Sequence, residues 1–142
     1  LNTQNFNWKR FFSLEGPLTR LHASFVNMGA KKYVIGGGSF PENLVLNEIW
    51  SLSFGNSKAY VQLIISKQLY IENVVWDSPT LDLSGIIWEK VELKDGVFPA
   101  LKCSSAIKID SKNIFVFGGY DQKGECTDIS LLFDTGLTSM IA

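Results

Sequence analysis

Polar and apolar positions along this chain change over in short blocks rather than at helical spacing. The clearest block is KNIFVFGGY, Lys112 to Tyr120, where Ile114, Phe115, Val116 and Phe117 stand between polar residues and a glycine pair. Four consecutive apolar positions closed by a turn predict a short strand buried on both faces. The glycines supply positive φ and allow close backbone approach at the end of the strand. A second block, KKYVIGGG from Lys31 to Gly38, has the same build, and Gly37 precedes Gly118 by 81 positions.

The match extends to both sides of the glycines. HASFV, His22 to Val26, lies over CSSAI, Cys103 to Ile107, and Trp8 falls within one residue of the position matching Trp88. With one loop residue dropped, NEIWSLSF from Asn47 to Phe54 lies over TDISLLFD from Thr127 to Asp134. Each unit reads as a tryptophan strand, a Gly/Pro loop, a small-residue strand, an apolar strand ending in GG, a polar loop, and an apolar strand led by Asn or Asp. This pattern resembles the kelch repeat, in which four antiparallel strands form one blade of a β-propeller. The likeness spans all but Gly55 to Ile87 and the last few residues. Two departures stand out: Ser130 takes the place of Trp50, and no tryptophan follows Asp134.

The expected fold class is therefore all-β, a partial kelch-type propeller of four-stranded antiparallel blades. Residues 1–14 read as the outer strand of a preceding blade, with Trp8 on it. Residues 18–93 read as one blade, interrupted by an insertion at 55–87 and resuming with the strand WEKVEL. Residues 100–142 read as a second, incomplete blade, with Thr135 to Ala142 trailing off. Inside the insertion, AYVQLII and LYIENVVW have the β-branched and aromatic richness of a hairpin, either a docking element or a cover for a strand edge.

Length limits this picture, because 142 residues supply about two blades where a closed propeller needs roughly four to eight. Two readings stay open: a fragment of a longer kelch protein whose missing chain holds the rest of the propeller, or self-association of several copies to complete the ring. Hydrophobic content of 46% fits a β-rich globular chain, and a net charge of −1 gives no electrostatic reason to expect nucleic acid or an anionic membrane. No apolar run is long enough to cross a membrane as a helix, and no signal peptide is expected. Cys103 and Cys126 read as free thiols in a reducing compartment, which places the expected location in the cytoplasm.

Candidate chemistry is sparse. His22 is the single histidine, so a site needing two imidazoles cannot be built from this chain, and beside Arg20 it reads as a structural residue. Gly36 to Gly38 is followed by neither a Lys-Ser/Thr pair nor a helix, which excludes a phosphate loop. No nucleophile elbow surrounds Ser104 or Ser105. No enzyme activity, cofactor or metal is expected. Glu42, Glu48, Asp121, Glu125 and Asp128 lie in or beside the glycine-side loops, as solvated charges or as an acidic rim. Leu44, Val45 and Leu46 either pad the next strand or offer partner contact.

The kelch resemblance implies a non-catalytic protein-protein interaction module that holds a protein partner on the loops at its glycine end. Those loops are Glu15 to Arg20, Ser39 to Leu46, Lys94 to Lys102 and Asp121 to Glu125. The expected contact residues are Arg20, Phe40, Glu42, Lys102, Tyr120 and Asp121. Trp8, Trp50, Trp88, Gly37, Gly38, Gly118 and Gly119 are expected to be structural. The resemblance also implies an alternative, a regulatory segment of a larger enzyme such as a serine/threonine phosphatase or a ubiquitin-ligase adaptor.

Overall fold

A computed structural model of the chain describes residues 16–39, 41–55 and 85–141. Trp8, Phe40 and the expected hairpin of the insertion lie outside the described residues. The chain divides into two compact units, Leu1–Leu14 with Phe54–Ile87 and Glu15–Ser53 with Trp88–Ala142. Nearly all of the described residues belong to the second unit. Every regular element described is a β-strand, and no helix among the described residues is long and apolar enough to cross a membrane.

Ten strands run in chain order: β1 Arg20–Leu21, β2 Ser24–Asn27, β3 Lys32–Ile35, β4 Gly38–Ser39, β5 Ile49–Gly55, β6 Gly85–Lys90, β7 Ser105–Lys108, β8 Asn113–Phe117, β9 Ser130–Asp134 and β10 Ser139–Ile141. They form two four-stranded sheets, β2-β3-β5-β6 (sheet 1) and β10-β9-β8-β7 (sheet 2), with a small ribbon of β1 and β4. Pairing is antiparallel from β2 through β3 to β5 and across the whole of sheet 2. The fourth strand of sheet 1 comes earlier than WEKVEL, ending at Lys90. Val91 leaves it but still donates its N–H to the Ile49 carbonyl at 2.9 Å.

Two features of sheet 2 differ from the sequence reading. The tail after Thr135 does not trail off but carries β10, which pairs with β9 and completes four strands. Asp134 makes this reversal by accepting from the N–H groups of Gly136 and Leu137 at 2.8 and 2.9 Å, a side-chain-closed turn. The second difference is in β8, which is buried on one face only. Ile114 and Val116 are fully buried, while Phe117 is 49% exposed. Period-two alternation turns Ile114 and Val116 toward sheet 1 and sends Phe115 and Phe117 to the other side.

The core lies between the two sheets. Val26, Tyr33, Ile35 and Ile49 of sheet 1 meet Ile114, Val116, Leu131 and Phe133 of sheet 2, with Phe98 and Leu101 closing the glycine end. Tyr33 and Phe133 meet edge to face with ring centroids 5.7 Å apart. A fully buried side chain such as Phe133 contributes about 2 kcal/mol by leaving water, so this seam dominates the stability of the unit.

The two sheets repeat one another, with a shift that a fixed spacing conceals. β2 precedes β7 by 81 positions, since Ser24 faces Ile35 where Ser105 faces Phe117, but β3 then precedes β8 by 82. The hairpin of sheet 2 is one residue longer. Its turn is organised by Asp110, whose carboxylate accepts from the N–H groups of Lys112 and Asn113 at 2.7 and 2.8 Å. A bond from the Asn113 amide, and after it those two, hold the Asp110 carboxyl below its usual range.

The extra residue changes which glycines correspond. Gly36 and Gly37 have φ of 59° and 103°, and Gly118 and Gly119 have 65° and 108°, so these are the matching pairs. Gly38 instead belongs to β4. Likewise Ile49 matches Ser130 and Trp50 matches Leu131, which removes the apparent replacement of Trp50 by serine.

Candidate functional site

The loops at the glycine end are built on two equivalent ladders, each joining three chain segments. In the first, Leu21 pairs with Gly38 and Gly38 with Val45; in the second, Lys102 pairs with Tyr120 and Tyr120 with Cys126. Lys102 and Tyr120 exchange both backbone bonds, at 3.0 and 2.8 Å. The ladders are tied together by the Val45 N–H, which donates to Gln122 Oε1 at 2.9 Å. Beyond Tyr120, Asp121 closes the turn by accepting from the N–H groups of Lys123 and Glu125 at 2.8 and 2.9 Å.

Tyr120 stands on this scaffold with 41% of its surface exposed. A hydrogen bond with the Cys126 side chain, and the proximity of that group, push the phenol above its ordinary pKa. The ring therefore stays neutral at physiological pH. Both thiols are free and exposed.

Of the six residues expected to make contact, the structure leaves Glu42 and Tyr120 exposed and Lys102 half-buried. Phe40 lies outside the described residues. Asp121 is half-buried, and its carboxylate is committed to its own turn. Arg20 is turned inward rather than toward a partner. Only 7% of its side chain is exposed, and Nη2 donates to Glu48 Oε2 while Nη1 donates to the Gly36 carbonyl, both at 3.0 Å. A guanidinium fork satisfied on two sides has an internal task.

Glu48 is the centre that sequence reasoning missed by placing it with the rim charges. Its Oε2 also accepts from Trp50 Nε1 at 3.0 Å, and its Oε1 accepts from Lys90 Nζ at 2.7 Å. Its backbone carbonyl accepts from the Gly36 N–H at 2.9 Å. Burial alone would raise its pKa, but the bonds from Lys90, Trp50 and Arg20 outweigh burial and lower it from 4.5 to about 2. Glu48 thus pins β1, β5 and β6 together through its carboxylate and the glycine turn through its backbone carbonyl. An available signal was an acidic residue just before a strand with a tryptophan two positions on.

A cavity of about 300 Å³ opens beside this centre, with Glu48, Lys90, Glu92, Gly96 and Phe98 among its walls. A smaller one of about 180 Å³ lies near Tyr33, Ser51 and Thr138. Among the described residues no three His, Cys, Asp or Glu side chains gather in a metal-binding group. No family model matches this chain, and no curated protein does.

Proposed function

We propose that this chain is a non-catalytic protein-binding module of the kelch-propeller type, holding a protein partner on the loops at its glycine end. The observation that carries the reading is the cross-tied pair of ladders, which fixes exposed Tyr120 and Leu44 on otherwise irregular backbone. Loops held rigid by a scaffold while presenting apolar and aromatic side chains are suited to partner contact, because little conformational entropy is lost on binding. Glu42 and Lys102 add charge of both signs at the edge. Two four-stranded antiparallel sheets, repeated within one chain, support the kelch-type part of the reading.

Tyr120→Ala combined with Leu44→Ser is expected to abolish retention of proteins that the unaltered chain captures at least tenfold over background. Lys112→Ala, at the opposite end of β8, should retain them all. Affinity capture with quantitative mass spectrometry reads this directly, and unfolding midpoints of all three proteins should agree. Identical capture by the double variant would refute the loop surface as the binding site.

A further inference from the structure

Sheets 1 and 2 are packed front on back rather than like on like. Sheet 1 turns Val26, Tyr33 and Ile35 toward sheet 2. Their equivalents on sheet 2 are Ile107, Phe115 and Phe117, and these point away from sheet 1. What sheet 2 presents to sheet 1 is its opposite face, with Val116, Leu131 and Phe133; on sheet 1 those positions are Val34, Trp50 and Leu52. A surface of the kind that sheet 1 has covered is therefore open on sheet 2.

That open face is continuous. Ile107, Phe115, Leu132 and Ile141 form one row across all four strands, and Phe117 stacks on Phe115 with centroids 6.5 Å apart. Phe117, Ile107 and Ile141 are exposed. An apolar row of this extent on a solvent face is a binding surface or an aggregation liability.

Backbone groups repeat the same pattern. At the edge of sheet 1, Gly37 N–H donates to the Leu101 carbonyl at 2.8 Å, Cys103 N–H donates to the His22 carbonyl at 2.9 Å, and Leu101 N–H donates to the Leu46 carbonyl at 3.4 Å. Ser24 Oγ donates to the Ser104 carbonyl. The equivalent groups on sheet 2 are Gly119 N–H, the carbonyls of Cys103 and Thr127, and Ser105 Oγ. None of these four has a hydrogen-bond partner among the described residues. Even the strained residue recurs, since His22 and Cys103 are both left-handed, with φ of 57° and 58°.

In this chain the segment equivalent to Leu101–Ser104 is Arg20–Ala23, and it runs beside sheet 1. On the back of that sheet Phe25 is 60% exposed, Val34 and Trp50 are half-buried in the same row, and Leu52, the equivalent of Phe133, is buried. We propose that the front of sheet 2 takes the back of sheet 1 from a second copy of this chain, with that copy's Arg20–Ala23 laid along Gly119 and Cys103. The occupant follows from continuity with the interface between sheets 1 and 2, and it stands independently of the loop-binding reading. Because front and back are different surfaces, the contact is heterologous, and each copy in it keeps one surface of each kind for the next.

Light scattering on the whole chain over a concentration series tests this. Unaltered protein is expected to reach three or more times its 15.9 kDa. Phe117→Asp blocks the front and Phe25→Asp blocks the back, so each variant alone is expected to stay monomeric. Mixing the two leaves one intact front and one intact back, and is expected to give a 1:1 complex of twice the monomer mass. Should either aspartate variant lose its β circular dichroism, Phe117→Ser and Phe25→Ser replace them. A monomeric unaltered chain overturns the proposal, as does a mixture that fails to associate. A two-fold dimer broken by Phe117→Asp but not by Phe25→Asp also overturns it, because that pattern means front on front.

Discussion

Gly36→Ala is expected to lower the unfolding free energy by about 3 kcal/mol or more, whereas Gly38→Ala, two residues on, should change it by less than about 1 kcal/mol. A Cβ on Gly36 would overlap the backbone carbonyl oxygen of Leu101, and the residue sits at φ 59°. The left-handed backbone costs roughly 1 kcal/mol for an alanine. The overlap costs more, because Leu101 is fixed by the Gly37 and Leu46 bonds and is itself buried in the core. Gly38 has no such constraint. Its nearest neighbours to an added Cβ are the Leu44 carbonyl oxygen at 3.6 Å and Lys102 Cδ at 3.7 Å, which is ordinary contact. Urea titrations of the two variants beside the parent measure the difference. Equal midpoints would mean that the glycine turn is not a fixed point of the fold.

Glu48→Gln is the second large effect. Arg20, with 7% of its side chain exposed, loses its countercharge. Leaving a buried cation unpaired costs about 3 kcal/mol at pH 7. The acid limb of the stability curve should change as well. In the fold the Glu48 carboxyl titrates at about 2 against an ordinary 4.5, so folding favours the ionised form. Its contribution is complete above the ordinary value and is lost as pH falls through the lowered one. Allowing for solvent at the half-exposed Lys90, that pH-linked part is about 2 kcal/mol. The parent should therefore lose stability between roughly pH 5 and pH 2, while the glutamine variant shows a flatter profile there. Parallel acid limbs would count against Glu48 as the group responsible.

Strands were the legible part of this chain, and side-chain networks were not. The runs at Lys32–Ile35 and Asn113–Phe117 announce themselves through apolar residues closed by glycines. The positions of these β-strands then follow from local composition. By contrast, Glu48 draws on Arg20 and Lys90, which are 28 and 42 residues away in the chain. No periodicity connects such distant positions. Arg20 is expected at a partner surface because the kelch resemblance places it in a loop of the glycine end, and only the fold supplies the carboxylate that turns it inward. β10 was invisible for another reason. Three residues after a glycine turn carry too little pattern to mark a strand, and its pairing with β9 and the bridge from Asp95 to Ser139 hold it in place.

Gly36 to Gly38 explains the misplaced register. Three glycines in a row carry no side chains to show which two adopt positive φ, so a constant spacing selects Gly37 and Gly38 when the backbone uses Gly36 and Gly37. The added residue in the sheet 2 hairpin has a practical consequence for anyone engineering a consensus unit from the two halves. Averaged at a constant offset, the halves would superimpose Tyr33 on Ile114 rather than on Phe115, and so merge inward positions with outward ones along the whole glycine strand. A usable consensus has to be written for each strand separately, with the hairpin length chosen first.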